Sequence, residues 1–427
     1  MARKMKDSGI EWIGEIPEGW EVSQLKYATR WKSEKGCPDA PVLSLYRDFG
    51  VVPKDSRDDN HNVTSLDTSN YKVVDIGDLV INKMKAWQGS MAVSDYRGIV
   101  SPAYHVCSIT SNKVNKRYLH HLLRNPAYLP EYSRLSTGMR IGQWDLGFDD
   151  FKNIPFLIPP LDEQAKIADY LDNGCASLDA MLSKTRSSIE EYKKLKQAVI
   201  TQAVTKGVRG EREMKDSGVE WIGEIPTTYS ICKLKYLLKN PLKYGANESG
   251  IPYSDSLPRY IRITDITPDG NLKYTGKLSL SEESAKDYIL EDGDILFARS
   301  GATVGKTFIY YQSYGRSAYA GYLIKASLNN KVSPKFVYYY TCSSLYEIWK
   351  NSIFIQSTIQ NIGADRYANL PVPVPKTLQE QEEIADYLDA KCAEIDKLIA
   401  KKEQLVKELE SYKKSLIYEV VTGKREV

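Results

Sequence analysis

The chain has 427 residues, 42% of them hydrophobic and 26% charged, with a formal net charge of +3. This is globular composition, which excludes disordered and fibrous classes, and the length suits roughly two or three domains. No run of about 18 apolar residues occurs, which excludes a membrane-spanning helix. Met1–Asp7 carries no apolar stretch behind its charges, so no signal peptide is expected.

The chain opens on Met5–Pro17, MKDSGIEWIGEIP, and the same words return at Met214–Pro226 as MKDSGVEWIGEIP, with one difference in thirteen and an offset of 209. A second match follows at an offset of 217, LDEQAKIADYLD at Leu161–Asp172 against LQEQEEIADYLD at Leu378–Asp389. Weaker matches lie between them in order: Gly77-Asp78 with Gly293-Asp294, Asn112–Val114 with Asn330–Val332, and Asn153–Pro155 with Asn369–Pro371. The chain is therefore two copies of one unit of roughly 210 residues. The ends of each copy are nearly the same and the middles differ in sequence and length. Drift alone would blur both, so the pattern points to one frame carrying two different devices.

The first middle, about 20–160, reads as mixed α/β. Val73–Ile81 is a strand, a turn at Gly77-Asp78 and a second strand, and Asn115–Tyr132 reads as helical. After Pro159-Pro160 a long helix begins. Ile167, Leu171, Leu178, Met181, Tyr192, Leu195 and Val199 form an a/d seam. The second middle, about 230–376, repeats the plan, with strands and a turn over Tyr288–Phe297 and a helix over Ser333–Lys350. A second seam follows at Ile384, Leu388, Ile395, Leu398, Leu405, Leu409, Tyr412 and Leu416. Both seams are broken at matching places, Gly174 and Lys391, Thr185 and Lys402, Gln202 and Glu419, which suits two helices packed in one register. Each helix is about 40 residues, hence roughly 60 Å, with Gly207 and Gly423 as C-terminal caps. A helix with so narrow a stripe is unstable alone, so the two are expected to pair antiparallel within the chain. The fold class is α/β (α+β), with an internal pseudo-twofold repeat. Its parts are 1–160, the first head with its opening; 161–206, the first long helix; 207–376, the second head with its opening; and 377–427, the second long helix.

Charge separates these parts. Residues 20–160 carry 18 Lys and Arg against 15 Asp and Glu, residues 230–376 carry 18 against 12, and the remainder is net −6. The positive excess lies in the divergent middles, as it would if they face a polyanion. Four segments there mix cations and amides with small or aromatic residues. In the first middle they are Asn82–Gln88, with Lys83, Lys85, Trp87 and Gln88, and Ser136–Trp144, with Arg140, Gln143 and Trp144. In the second they are Ala298–Lys306, with Arg299, Ser300, Thr303 and Lys306, and Ile355–Gly363, with Gln356, Gln360 and Asn361. Arg, Lys, Asn and Gln read base edges, and the cations also hold phosphates. Each such residue alone reads equally well as a solvated surface group.

Catalytic patterns fail on inspection. Gly301–Thr307 is one residue short of a P-loop, and Asn125-Pro126-Ala127-Tyr128 lacks the second proline of the amino-methyltransferase signature. The six cysteines form no Cys-x-x-Cys pair and the four histidines lack ligand spacing, so no metal site or disulfide framework is expected, and a reducing cytoplasm is the expected setting. An enzyme acting on DNA by itself is disfavoured. A coiled-coil scaffold with protein-binding heads remains the alternative; it predicts no salt-dependent DNA affinity.

The duplicated SGIEWIGEIPEGW and SGVEWIGEIP openings, the junctions IPPLDEQAKIADYLD and LQEQEEIADYLD, and the two long helices resemble the specificity subunits of type I restriction–modification enzymes of bacteria and archaea. The resemblance spans essentially the whole chain. It implies two target-recognition domains, each reading half of a bipartite double-stranded DNA site, and a helical spacer that sets the gap between halves. It also implies two methyltransferase subunits docked on the frame, which methylate adenine with S-adenosylmethionine. Motor–nuclease subunits can join and use ATP. These cofactors, with magnesium, are expected in the partners and none in this chain, which is expected to be non-catalytic. The second junction, Pro373-Val374-Pro375-Lys376, lacks the Pro-Pro of Pro159-Pro160. Base-contacting residues vary through the family, so none is carried over.

Overall fold

Leu79-Val80-Ile81 and Ile295-Leu296-Phe297 are unbroken apolar runs, and in the computed structural model both are buried on two faces. Successive residues of a strand point to opposite sides of a sheet. Leu79 and Ile81 accordingly enter one core with Trp20, Tyr118 and Leu171, while Val80 enters another with Leu43, Val74 and Val106. Ile295 and Phe297 join Tyr340, Tyr346 and Leu388, and Leu296 joins Ile261, Phe308 and Tyr319. The structure describes residues 3–47, 49–57, 64–65, 67–138, 144–267, 270–301, 303–355 and 361–427. They form two units, Met1–Arg186 with Gln404–Val427, and Ser187–Glu403.

In the first unit the opening is a hairpin of Met5–Asp7 with Glu15–Pro17. Glu21–Gln24 then pairs antiparallel with Pro155–Ile158, so the middle leaves the frame and returns to it at adjacent strands. The central sheet sets Thr29–Lys32, Tyr104–Ile109, Leu79–Asn82 and Met91–Val93 side by side. The second unit repeats this plan. Met214–Asp216 pairs with Glu224–Pro226, and Tyr229–Lys233 with Pro371–Pro375. Its central sheet runs Lys243–Tyr244, Leu323–Ala326, Ile295–Ala298, Thr307–Ile309. Around the sheets the units differ. The first adds three separate pairs, Leu43–Tyr46 with Gly50–Pro53, Lys72–Val74 with Gly98–Val100, and Ser136–Thr137 with Asp145–Leu146. The second adds a four-stranded sheet of Ile251–Pro252, Leu278–Ser279, Arg259–Ile261 and Ser317–Tyr319.

The helical stretches expected in the middles are each broken in two. Lys116–Leu123 stops before Asn125-Pro126 and helix resumes at Leu129–Leu135, because the residue before a proline is driven out of helical geometry. In the second unit Pro334–Thr341 and Ser344–Ile355 are separate helices, and the buried Ser343 between them turns its hydroxyl back to the Tyr340 carbonyl at 2.7 Å.

The long helices span Leu161–Lys206 and Leu378–Val421. Within each unit they run antiparallel. In the first, Lys413 pairs with Asp179 and Arg186 with Glu410, both at 2.6 Å. In the second, Lys196 pairs with Asp396 at 2.6 Å, and Lys402 lies 5.7 Å from the Tyr192 ring. The expected heptad seam is corrected, however. Met181 and Leu195 are 51% and 49% exposed, and Leu405 and Tyr412 are also exposed. Of the expected seam, Ile167, Leu171 and Leu178 on the first helix and Ile384, Leu388, Ile395 and Leu416 on the second are buried, and Leu182, Ile189 and Ile200 are buried where the seam named Met181 and Leu195. The matching polar positions do not set the register as a set. Gly174 faces Leu416, but Lys391 is exposed and pairs with Glu394 of its own helix.

Each opening receives one helix start and one helix end. Glu163, near the start of the first helix, accepts the Trp20 indole N–H at 3.0 Å and pairs with Arg3. Glu380, near the start of the second, accepts the Tyr229 hydroxyl at 3.1 Å and pairs with Arg212. Glu380 is 6% exposed and Glu163 20%. Truncating one partner of a buried ion pair costs about 3–5 kcal/mol, and of a wetter one nearer 1 kcal/mol. We therefore expect Glu380→Ala to destabilise the second unit by about 3 kcal/mol and Glu163→Ala to destabilise the first by less, read by hydrogen exchange of each unit's core amides. Equal losses would mean that burial does not set the strength of these anchors.

Candidate nucleic-acid interface

A strand that leaves a sheet and returns antiparallel must present a loop at that end. Leu79–Asn82 and Met91–Val93 are joined by residues 83–90, and Ile295–Ala298 and Thr307–Ile309 by residues 299–306. The two loops have the same length and lie at the same place in the repeated sheet, 216 residues apart. Both turn on a glycine in the left-handed region, Gly89 at φ 79° and Gly305 at φ 82°. Both are tied to a second segment by the same hydrogen bond. The Leu146 N–H donates to the Lys83 carbonyl at 3.1 Å, and the Ile362 N–H to the Arg299 carbonyl at 2.8 Å.

That bond brings together segments chosen separately from sequence. In the first unit the Trp87 and Trp144 rings lie 5.2 Å apart, inclined at 59°. The Lys83 ammonium is 3.7 Å from Asp145. Lys85 is exposed, and its carbonyl accepts the Gln88 N–H at 3.0 Å. Arg140 and Gln143 lie outside the described residues. In the second unit Ser300 bridges to Asn361, the Lys306 N–H donates to the Thr303 carbonyl at 3.0 Å, and the Lys306 side chain is exposed. The Arg299 guanidinium sits 5.0 Å from the Tyr244 ring. Gln356 and Gln360 lie outside the described residues.

Sequence reasoning missed the tyrosines at this end of the second sheet. Tyr244 ends one strand, and its hydroxyl accepts the Ala364 N–H at 3.0 Å. Tyr322, 62% exposed, gives its carbonyl to the Arg299 N–H at 3.0 Å. The abundance of tyrosine was visible, but the sheet end it occupies was not. In the first unit Lys72 belongs to the same end. Burial, then the neighbouring Lys83 and Lys35, hold its pKa below the usual lysine range, and its ammonium donates to the Tyr104 carbonyl at 2.6 Å. Crowded cations of this kind gain from an anionic partner. His105 is buried beneath, its pKa lowered chiefly by burial, with Nε2 at 3.2 Å from the Leu146 carbonyl.

The near P-loop is part of the hairpin: Thr307 starts a strand, not the helix that must follow a P-loop. The near methyltransferase signature also has a structural use, since the buried Asn125 side chain accepts the Ala127 N–H at 3.0 Å. A left-handed backbone costs a residue with a Cβ about 1–2 kcal/mol. Gly89→Ala and Gly305→Ala are each expected to loosen one loop and to raise amide exchange there while leaving the other unit's exchange unchanged. Unchanged exchange in the substituted loop would show that the turn tolerates a side chain.

Comparison with known proteins agrees with this architecture. The sequence profile described as "Type I restriction modification DNA specificity domain" matches residues 17–191 and 247–408. The MjaVIII type I restriction enzyme specificity subunit of Methanocaldococcus jannaschii is 25% identical over 437 residues, covering 96% of this chain and 93% of that one. The EcoKI specificity subunit of Escherichia coli K12 is 25% identical over 276 residues, 62% of this chain and 56% of its own. Among solved structures, a chain from a study of complex assembly and conformational transition of the type I R-M system superposes with a TM-score of 0.72 at 16% identity, covering 96% of this chain and 99% of that one. The HsdS subunit of Thermoanaerobacter tengcongensis gives 0.51 at 15% identity, covering 96% and 98%. Two profile matches, one on each copy of the repeat and together spanning most of the sequence, place the chain in the type I restriction–modification DNA specificity family.

Proposed function

We propose that the chain is the DNA-recognition subunit of a type I restriction–modification complex, that each middle reads one half of a bipartite site, and that it works in the cytoplasm. The observation that carries this reading is the pair of equivalent loops, same in length, turn and anchoring bond, that bear different side chains. A common frame then offers two chemistries to one polyanion. The long helices set the permitted gap between half-sites. Methyl transfer and any cleavage belong to the partners, two methyltransferase subunits with S-adenosylmethionine and, where present, motor–nuclease subunits with ATP and magnesium.

Two equal partners need two equal seats. Tyr27 and Tyr236 are 70% and 66% exposed, and in both copies the preceding lysine, Lys26 or Lys235, lies 5.1 Å from the ring. Neighbours on both sides differ, Gln24 against Lys233 and Ala28 against Leu237, yet Leu-Lys-Tyr is kept. Leu25 and Leu234 are buried, which accounts for the leucine but not for the exposed pair. Both tyrosines lie at the sheet end away from the loops, where Ala28 bonds Thr110 and Leu237 bonds Asn329. This supports docking of one partner type twice.

A single-molecule methylome of a methylation-free host tests the recognition role. With this gene and its neighbouring methyltransferase gene, a split motif methylated on adenine in both halves is expected, and with either gene alone none. Exchanging residues 230–376 for another middle should change one half only. Methylation from this gene alone would make the chain an enzyme in its own right. For docking, Tyr27→Ala and Tyr236→Ala are each expected to weaken capture of one methyltransferase copy about tenfold, a loss of about 1.4 kcal/mol, with the motif unaltered. An altered motif would place these tyrosines on DNA instead.

A further inference from the structure

We propose that Arg299 reads a guanine in the half-site bound by the second unit. The inference rests on the recognition role proposed above and assigns one residue and one base to it. Arg299 is the first residue after the central strand Ile295–Ala298, and its backbone is clamped on both sides. Its N–H donates to Tyr322 and its carbonyl accepts from Ile362. The guanidinium lies over Tyr244, and that ring is itself held through its hydroxyl by the Ala364 N–H. The side chain is half-buried, and its Nε is shielded from solvent with no hydrogen-bond partner. Among the described residues no carboxylate or carbonyl takes the fork. The ion pairs and side-chain bonds of the second unit go to other arginines, such as Arg259 to the Lys273 carbonyl, Arg262 to Asp265 and Arg316 to Glu282.

A planar fork with unspent donors, placed over an aromatic ring, fits an acceptor pair in one plane. The major-groove edge of guanine offers such a pair in O6 and N7, and arginine to guanine is the commonest specific contact. A phosphate could also take the fork, but a phosphate can be held by a lysine as well. Exposed Lys306 at the other end of the same loop already supplies one. The equivalent residue of the first unit argues the same way. Lys83 has no fork, and Asp145 stands 3.7 Å from its ammonium. The two loops, matched in backbone, therefore present different donors, as two half-sites of different sequence require.

The test is the methylome of the host carrying the methyltransferase gene with either the wild-type chain or Arg299→Lys, which keeps the charge and loses the fork. The wild-type motif should hold a fixed G·C pair in the half that exchange of residues 230–376 replaces. Arg299→Lys should relax that one position, lowering the preference for guanine about ten- to a hundredfold, and leave the other half unchanged. A uniform fall in methylation with the motif intact would make Arg299 a phosphate contact and overturn the proposal. So would a half-site without guanine, or relaxation in the other half. Absence of any motif from the wild type would remove the recognition role and this inference together, which separates the two failures. A second measurement needs no variant. Binding of the wild-type complex to duplexes carrying 7-deazaguanine, which lacks the N7 acceptor but still pairs, should weaken about tenfold at one guanine of this half. No sensitive guanine there would overturn the proposal even if Arg299→Lys failed to fold.

Discussion

Everything in this protein follows from the burial of two long apolar stripes that neither helix can keep out of water alone. A helix of forty-odd residues with one narrow stripe needs a partner, and within each unit the partner comes from the other long helix. The first unit is completed by Gln404–Val427, whose Leu416, Val420 and Val421 pack on Ile16 and Trp20. The second receives the end of the first helix in the same way, with Ile200 and Val204 against Ile225 and Tyr229. Each opening thus does one identical job, to hold a helix start through Glu163 or Glu380 and a helix end through apolar contact. This accounts for the near identity of the two openings. Even their left-handed glycines agree, Gly9 and Gly14 at φ 70° and 73°, Gly218 and Gly223 at φ 73° and 70°.

The middles are bound by no such duty once they have left the frame and returned to it. What they share is the four-stranded sheet, its central strand buried on both faces, and the loop at its end. What differs was inserted elsewhere. The offset between copies is 209 at the opening and 216 at the loops, so the extra length of the second copy accumulates before Arg299. There the second unit builds a four-stranded sheet where the first has two separate strand pairs. Loops that lie outside the cores can change their side chains at little cost to stability. A strand buried on two faces cannot do so.

Much of this was legible from the amino-acid order, because repetition and period are visible in a string. The two copies, the strand–turn–strand at Gly77-Asp78, the turn and following strand at Gly293-Asp294, and the two long helices were all readable; the strand expected before Gly293 is only a single bridge from Ile289 to Ala318. The phase of the helices was not readable. In the string, Met181 and Leu195 fit an apolar stripe as well as Leu182 and Ile189 do, and only packing decides between them. The candidate contact segments were found by their mixture of cations, amides and aromatics. Their adjacency depends on one backbone hydrogen bond in each unit, from Leu146 to Lys83 and from Ile362 to Arg299, and main-chain bonds leave no mark on side-chain pattern. Tyr244 escaped for a related reason. A lone tyrosine on an edge strand has no signature until the arginine it supports is seen above it.

Charge shows most clearly why position matters more than count. The first middle carries a formal excess of +3, and several of its cations are held by groups inside the protein. Lys32 is buried between Asp75 and Asp78 and only 2.8 Å from the latter, where it holds the turn that starts Leu79–Asn82. Lys72 gives its ammonium to the Tyr104 carbonyl, and Lys83 has Asp145 beside it. In the second middle the cations at the loop, Arg299 and Lys306, have no such internal partners among the described residues. At the loops, therefore, the two units differ in how their cations are held. On the proposed reading the first offers a polyanion a pair of tryptophans beside cations that already have internal partners, and the second a positioned guanidinium and an exposed ammonium. That is a difference in kind of contact, aromatic surface against directed donors, which is how one frame can carry two readings without changing its fold.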